Sequence, residues 1–381
     1  MDVMLTSGNA LTTDTASVTE EERAYPEHEH PRHAHRHGGR ADGVKVKAIN
    51  LALQGGGAHG AFTWGVLDRL LEDGRIEIEA ISATSAGAMN AVVAAYGLAE
   101  GGPAGARKTL MNFWRRISHA AANGPLQPTW FDRMTGNRSL ELSPAFITFD
   151  LMSRLFSPYQ FNPLNYNPLK DVLEQSVDFE RLRTHCCPVK LFLTATNVRT
   201  GKIKVFDNDA LTSSAVLASG CLPFLFHAVE IDGEFYWDGG YMANPAIFPL
   251  IYNCKSADVV VIHINPLERT DMPRTASEIM NRINEISFNS SLMREMRAIS
   301  FVTRLIDDGA LEKSRARRML IHSISADDVT IKLGAASKLN ADWEFLMYLH
   351  DAGRRTAAAW LDKNFDRLNV ETTIDIRAQY L

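Results

Sequence analysis

Apolar and polar positions follow a repeating order along residues 44–365. Residues 44–48 alternate lysine with small apolar side chains, and residues 49–53 are mostly apolar, which predicts a strand entering a core. Leu67, Leu70 and Leu71 then fall at helical spacing. Residues 76–81 predict a second strand, the alanine-rich stretch 87–99 a helix, and residues 107–121 another. Residues 189–196 and 202–206 predict two strands joined near Thr200-Gly201, and 211–219 a short helix stopped at Gly220. Residues 221–226 read as an apolar wall, and 229–231 with 234–237 as a hairpin about Asp232-Gly233. The run 259–264 is almost unbroken in apolar character, as in a buried parallel strand, and 319–324 predict a further strand. Two long helical patterns complete the chain. One spans 275–308, with Ile279, Ile283, Ile286, Met293 and Met296, and is expected to cover the core, a membrane-facing role being the alternative. The other spans 341–365, with Trp343, Leu346, Leu349 and Trp360 on its apolar side. Strands alternating with helices imply an α/β fold with a mainly parallel sheet.

Two stretches break the order. Residues 1–43 are polar and then His-rich (His28, His30, His33, His35, His37), and are expected to be a disordered tail that binds metal only incidentally. Residues 124–168 interleave prolines with aromatics, and read either as a lid or acyl-chain pocket or as an irregular covering of the core. Within them Asn167 is placed to cap a helix that starts at Pro168.

Composition narrows the functional classes. A chain of 381 residues holds one large domain or two modest ones, and its 45% hydrophobic and 22% charged content is that of a soluble globular protein. A net charge of -5 gives no electrostatic footprint for nucleic acid. Cys186, Cys187, Cys221 and Cys254 have no metal-ligand spacing and are expected to be reduced, buried thiols. The first twenty residues lack an apolar core region of the signal-peptide kind, and no run of about 18 apolar residues exists to span a membrane. The expected location is cytoplasmic, with peripheral membrane contact.

Three turns carry candidate chemistry. The segment Ile81-Ser82-Ala83-Thr84-Ser85-Ala86-Gly87 reads as strand, sharp turn and helix, with Ser85 at the apex. Small neighbours are what a nucleophile elbow needs; the plainer reading is a serine N-cap. Gly55-Gly56-Gly57 follows the first strand without the Lys-Ser/Thr ending of a phosphate loop or the spacing of a dinucleotide loop, which leaves an oxyanion hole or a tight turn. Asp238 is followed by Gly239 and Gly240, a backbone able to bend around its carboxylate.

This order of motifs resembles the patatin-like phospholipase family. The resemblance is carried by residues 55–60 (Gly55-Gly56-Gly57-Ala58-His59-Gly60), 83–87 and 238–240, and extends through residues 215–223 to Asn244-Pro245, covering about Ile49 to Pro266. It implies a three-layer α/β/α patatin-like fold, with a catalytic domain over 44–270 and a helical extension over 271–381 packed on it. It also implies a serine lipid acyl hydrolase of the phospholipase A, lysophospholipase or esterase type. Ser85 would attack the ester carbonyl to form an acyl-enzyme, and Asp238 would serve directly as its base. Backbone N–H groups of Gly55, Gly56 and Gly57 would hold the oxyanion, and His59 and Gly60 would support the loop or meet substrate. No metal or organic cofactor is implied. The implied partners are a lipid or fatty acyl ester and, transiently, a membrane surface met by Trp130, Phe131 and Phe156. Two positions depart from the family pattern: Ala83 stands where the elbow usually has glycine, and His59, expected to be partly charged at neutral pH, where the loop usually has Arg or Lys. They leave neutral esters, lysophospholipids and acyl thioesters open as substrates. Three other readings compete: a triad esterase using His263, His322 or His350, an acyltransferase using the same serine, and a lipid-binding relic.

Overall fold

The apolar runs assemble into one sheet of eight strands in a computed structural model that describes residues 45–122, 124, 140, 143–184, 187–311, 316–331 and 333–381. The His-rich tail, Trp130, Phe131 and Cys186 lie outside the described residues. The strands are β1 (Lys47–Leu53), β2 (Ile76–Ala83), β3 (Lys190–Asn197), β4 (Ile203–Phe206), β5 (Val229–Ile231), β6 (Glu234–Asp238), β7 (Asp258–His263) and β8 (Leu320–Ser325). They lie in the order β5-β6-β3-β2-β1-β7-β8, with β4 paired to β3. Pairing is parallel from β3 through β2, β1 and β7 to β8, and antiparallel where β4, β6 and β5 join. The β5–β6 hairpin turns at Asp232 and Gly233, with φ of 52° and 78°, the left-handed pair that a two-residue hairpin requires.

Both faces of the sheet are covered, which makes the α/β/α sandwich. Successive side chains of a strand point to opposite faces, so a strand buried on both sides is apolar throughout. In β1, Leu51 and Leu53 enter one core while Ala52 enters the other; in β7, Val260 and Ile262 divide from Val259 and Val261 in the same way. Helix α1 (Gly60–Asp73) covers the first face with α2 (Ala86–Ala122), which is broken at Gly101 and Gly102 into the two helices the sequence predicts. The long helix α3 (Ala276–Asp307) covers the second face through Leu292, Met296 and Ile299. Helix α4 (Trp343–Asn364) returns to the first face and buries Leu346, Leu349 and Trp360 there. The residues from Lys45 to Leu381 form one compact unit.

Two expectations are corrected. Helix α3 begins where the sequence places it, with Thr275 and Glu278 in a reciprocal capping box. Its orientation is the reverse of the expected one: Ile279, Ile283 and Ile286 are 44%, 53% and 54% exposed, while Asn281, Glu285 and Asn289 face inward. Of the apolar positions named for this helix, only Met296 is fully buried. The segment 221–226 is not a closed wall either, because Phe224 stands 67% exposed although Cys221 is buried.

This orientation separates two substitutions that the sequence alone would rank together. Met296→Ala should destabilise the fold by about 2–5 kcal/mol, whereas Ile283→Ser should change stability by no more than about 0.5 kcal/mol. Urea unfolding of the two variants against the parent reads the difference directly; equal losses would put Ile283 in the core.

Candidate active site

The site forms where the parallel strands end. The loops that leave β1 and β2 start from adjacent strands, since Leu53 and Ala83 are register partners. The chain turns at Thr84, whose N–H donates to Leu53 O (3.2 Å) and whose hydroxyl donates to Ala243 O (2.8 Å). Ser85 follows with φ of 56°, a left-handed conformation that costs a non-glycine residue energy and persists only where its surroundings enforce it. Its N–H donates to Ser219 Oγ (2.8 Å) and its carbonyl accepts from Met89 N–H (3.1 Å), which sets the residue at the N-terminus of α2. Space explains two neighbours. A Cβ at Gly87 would come within 2.5 Å of Leu53 O, and one at Gly55 within 2.6 Å of Ser85 Cβ. Ala83 is fully buried and stays in register with both Leu53 and Leu193, so the sheet accommodates its methyl group.

Asp238 arrives from the other side. It ends β6, opposite Ala195 of β3, and its N–H donates to Cys221 O (2.8 Å). Its carboxylate is 3% exposed and accepts a hydrogen bond from the Gly240 N–H (2.7 Å). Burial raises its pKa to about 6, against the opposing pull of the Gly240 N–H and of the nearby Ser85 hydroxyl. Ser85 and Asp238, 153 positions apart in the sequence, are both tied to the segment Ser219–Cys221, Ser85 through Ser219 Oγ and Asp238 through Cys221 O.

A polar scaffold holds the glycine loop. Gly55 N–H donates to Asn244 Oδ1 (2.7 Å), and Gly55 O accepts from Asn265 Nδ2 (2.7 Å). Gln54 binds Asn289 Oδ1 through its amide nitrogen (3.0 Å) and accepts from Ile264 and Asn265 N–H (3.0 and 3.1 Å). Of the three glycines, Gly55 thus has its N–H taken, while those of Gly56 and Gly57 find no acceptor among the described residues. The Lys338 carbonyl packs on Gly57, and the Lys338 ammonium donates to Asn265 Oδ1 (2.9 Å). Near it stand Arg269 and Arg282, both on Glu285 (2.7 and 3.3 Å); burial lowers the Lys338 pKa, and Glu285 opposes that shift. Sequence reasoning did not find Gln54, Asn265, Asn289 or Lys338; only Gln54 carried a signal, its place next to the glycines.

His59 lies under the same loop. Its Nε2 meets Ser337 Oγ (2.7 Å) and its ring meets the Phe345 ring edge-on. Burial, reinforced by Lys338 and Arg269, lowers its pKa to about 3, so the expected partial charge is absent at neutral pH. The three late histidines are engaged elsewhere. His263 Nε2 meets Tyr380 Oη (2.5 Å), and His350 packs against Trp64 and meets Asp351 (3.0 Å). His322 joins Asp258 (2.9 Å) and Thr373 (3.0 Å). Asp258 begins β7, at the opposite end of the parallel strands from Ser85, so this buried Asp–His–Thr chain belongs to the structure and not to the site. Among the described residues no cluster of His, Cys, Asp or Glu is arranged to hold a metal.

Part of the aromatic stretch reaches the site's flank. Tyr159 stacks on His227 (4.1 Å) and its hydroxyl accepts from Ala228 N–H (3.1 Å), which ties the turn Pro158–Phe161 to the segment leading into β5. An apolar cavity of about 490 Å³ lies beside it, lined by Pro144, Thr148, Phe149, Met152 and Phe161.

A profile of the patatin-like phospholipase family matches residues 51–251. No curated protein matches the chain. Among solved structures, the chain is similar to VipD from Legionella pneumophila at 16% identity and a TM-score of 0.39, over 83% of this chain and 67% of that one. It is similar to ExoU, in the heterodimeric complex ExoU-SpcU from the type III secretion system of Pseudomonas aeruginosa, at 16% identity and a TM-score of 0.38, over 85% and 53%. The chain spans about half the length of ExoU.

The state of His59 is open to measurement. In a histidine NMR titration its ring should stay neutral from pH 8 to about pH 5, while an exposed histidine protonates near 6.5. The unfolded chain takes up this proton first, so His59 makes stability fall as pH drops below about 6.5, and His59→Gln should flatten that slope. A His59 midpoint above about 6 would mean that the ring is solvated.

Proposed function

The chain belongs to the patatin-like phospholipase family, a family of lipid hydrolases, and from that premise we propose that it cleaves fatty acyl esters with Ser85 as nucleophile and Asp238 as base. The observation that carries the reading is the convergence of Ser85 and the buried Asp238 on the segment Ser219–Cys221, which takes the Ser85 N–H at Ser219 Oγ and the Asp238 N–H at Cys221 O and sets the serine hydroxyl near enough to favour the charged carboxylate. As Oγ attacks the acyl carbonyl, its proton passes to Asp238 and the carbonyl π pair moves onto oxygen. The N–H groups of Gly56 and Gly57 receive that oxyanion, while Gly55, held by Asn244, keeps the loop in place. Collapse of the adduct expels the alcohol, which takes the proton from Asp238 and leaves the acyl group on Ser85. Water then attacks the acyl carbon, Asp238 accepts its proton, and the second collapse returns that proton to Ser85 and frees a fatty acid.

The cation cluster supports the same chemistry. With His59 neutral, Arg269 and Arg282 leave an excess of positive charge over Glu285 behind the loop that would hold the oxyanion. Lys338 is then a positioning residue: it touches no reacting atom, but its carbonyl packs on Gly57 and its amine holds Asn265 Oδ1.

Hydrolysis of a short-chain nitrophenyl ester and of mixed phospholipid micelles tests the reading. Ser85→Ala and Asp238→Asn should each remain folded and lose on the order of 10³-fold or more in kcat/KM. In the parent, kcat/KM should rise with pH up to about pH 6 and then level, because Asp238 must be ionised to accept a proton. Turnover retained by Asp238→Asn would remove Asp238 as the base, and product formation that needs an added alcohol or thiol would make the protein an acyltransferase. Lys338→Met should lower kcat roughly tenfold with KM little changed, and Lys338→Arg should restore it; an effect confined to KM would assign Lys338 to substrate binding instead.

A further inference from the structure

Helix α3 has its polarity turned around at the end nearest the site. Asn281, Glu285 and Asn289 point inward and join the scaffold of the glycine loop, while Ile279, Ile283 and Ile286 form an outward row one to two turns apart. The same side of the helix continues with Met293 and Phe301, 37% and 51% exposed, and with the exposed arginines Arg294, Arg297 and Arg304. Every carboxylate of α3 is held elsewhere. Glu278 caps the N-terminus, Glu285 binds Arg269, Glu295 accepts from the Ile247 and Phe248 N–H groups, and Asp307 binds Arg318. On a chain of net charge -5, this outward side therefore combines apolar side chains with arginine and carries no free acid within Ala276–Asp307, the exposed Asp308 following at the C-cap. The opposite face of the helix adjoins the candidate active site: Phe288 packs edge-on against Tyr241 at 5.3 Å, beside the Asp238–Gly240 turn.

We propose that the outward side of α3 is the surface by which the protein lies on an anionic lipid bilayer, its isoleucines in the acyl boundary and its arginines among the headgroups. The pattern is that of an interfacial helix, in which buried apolar area and attraction to anionic lipid act together. No helix among the described residues is long and apolar enough to cross a membrane, so contact is made from one side. A second copy of the chain fits this surface less well, because pairing two such sides would bring their arginine rows together. The choice of lipid as partner rests on the hydrolase reading, whereas binding itself needs no turnover.

Vesicle flotation with the full-length Ser85→Ala protein keeps the two apart. The probes are vesicles of phosphatidylcholine alone and of phosphatidylcholine mixed with phosphatidylglycerol. The mixed vesicles should be bound at least about tenfold more tightly. Ile279→Glu/Ile283→Glu/Ile286→Glu should remove that binding, and Ile283→Glu alone should weaken it. Arg294→Gln/Arg297→Gln should erase most of the preference for anionic vesicles, at roughly fivefold per arginine. Each variant should melt with the parent and, in the Ser85 background, should hydrolyse a soluble ester at the parental rate. Loss of soluble-ester turnover in the parent would sink the hydrolase reading and leave the vesicle result standing. The proposal is overturned if the isoleucine variants bind mixed vesicles like the parent, if Phe156→Glu abolishes binding in their place, or if light scattering shows that the triple variant instead breaks a dimer.

Discussion

The structure depends on a close approach between two backbones. Strands β1 and β2 end side by side, and the loops that leave them occupy a space that admits no side chain at Gly55, where a Cβ would overlap that of Ser85, nor at Gly87, where it would overlap Leu53 O. Because the space is so small, Ser85 is held in a left-handed conformation that an unconstrained serine would leave. The same constraint sets the glycine loop directly against the serine. A serine and a glycine loop whose Gly56 and Gly57 N–H groups find no acceptor among the described residues are thus brought together by the spacing of parallel strands and the absence of side chains, before any long-range polar contact is counted.

Long-range contacts then hold what the strands bring together. Gln54, Asn244, Asn265 and Asn289 bind one another and Gly55, drawing on β1, the segment after β6, the end of β7 and α3. Buried amides of this kind are costly when left unpaired, and among the described residues this network pairs its amide groups apart from Asn244 Nδ2, which narrows it to few arrangements. This is why α3 turns a polar face inward at one end and an apolar face, with Leu292, Met296 and Ile299, at the other. The helix spans two environments: a polar loop scaffold and a hydrophobic sheet. The C-terminal third contributes to both, through Asn289 and Lys338 at the loop and β8 at the edge of the sheet.

These two levels also explain what could be read from the sequence. The strands and helices were legible because burial on both faces of a sheet leaves long apolar runs, and because caps such as Thr275 and Asn167 act over a few residues. The turns at Ser85, Gly55 and Asp238 were legible because their demands on backbone and space are local, and small residues reveal them. The scaffold was not: Gln54 and Asn289 are separated by 235 positions, and nothing in an amide side chain announces its partner. The side of α3 that is buried is not legible for a related reason. Periodicity locates an apolar stripe on a helix but not the surface it faces, and Ile279, Ile283 and Ile286 fit a core-covering helix as well as an exposed one. The charge of His59 was equally beyond reach, because it is set by burial and by Lys338, 279 positions away.

Burial has a further effect around Asp238 that bears on how two residues could do the work often given to three. A carboxylate in water is too weak a base for a serine hydroxyl; withdrawn from water, this one is raised to about 6 and still ionises at neutral pH, because the Gly240 N–H and the Ser85 hydroxyl both stabilise its charge. Its neighbours respond in the opposite functional sense. Burial and the negative charge of Asp238 push both Cys221 and Tyr241 up to about 12, so the thiol and the phenol stay protonated. The same water-poor surroundings thus disfavour the thiolate and the phenolate beside the carboxylate. One physical condition, exclusion of water from the end of β6, therefore raises the carboxylate, the thiol and the phenol together, and only the carboxylate stays within reach of neutral pH.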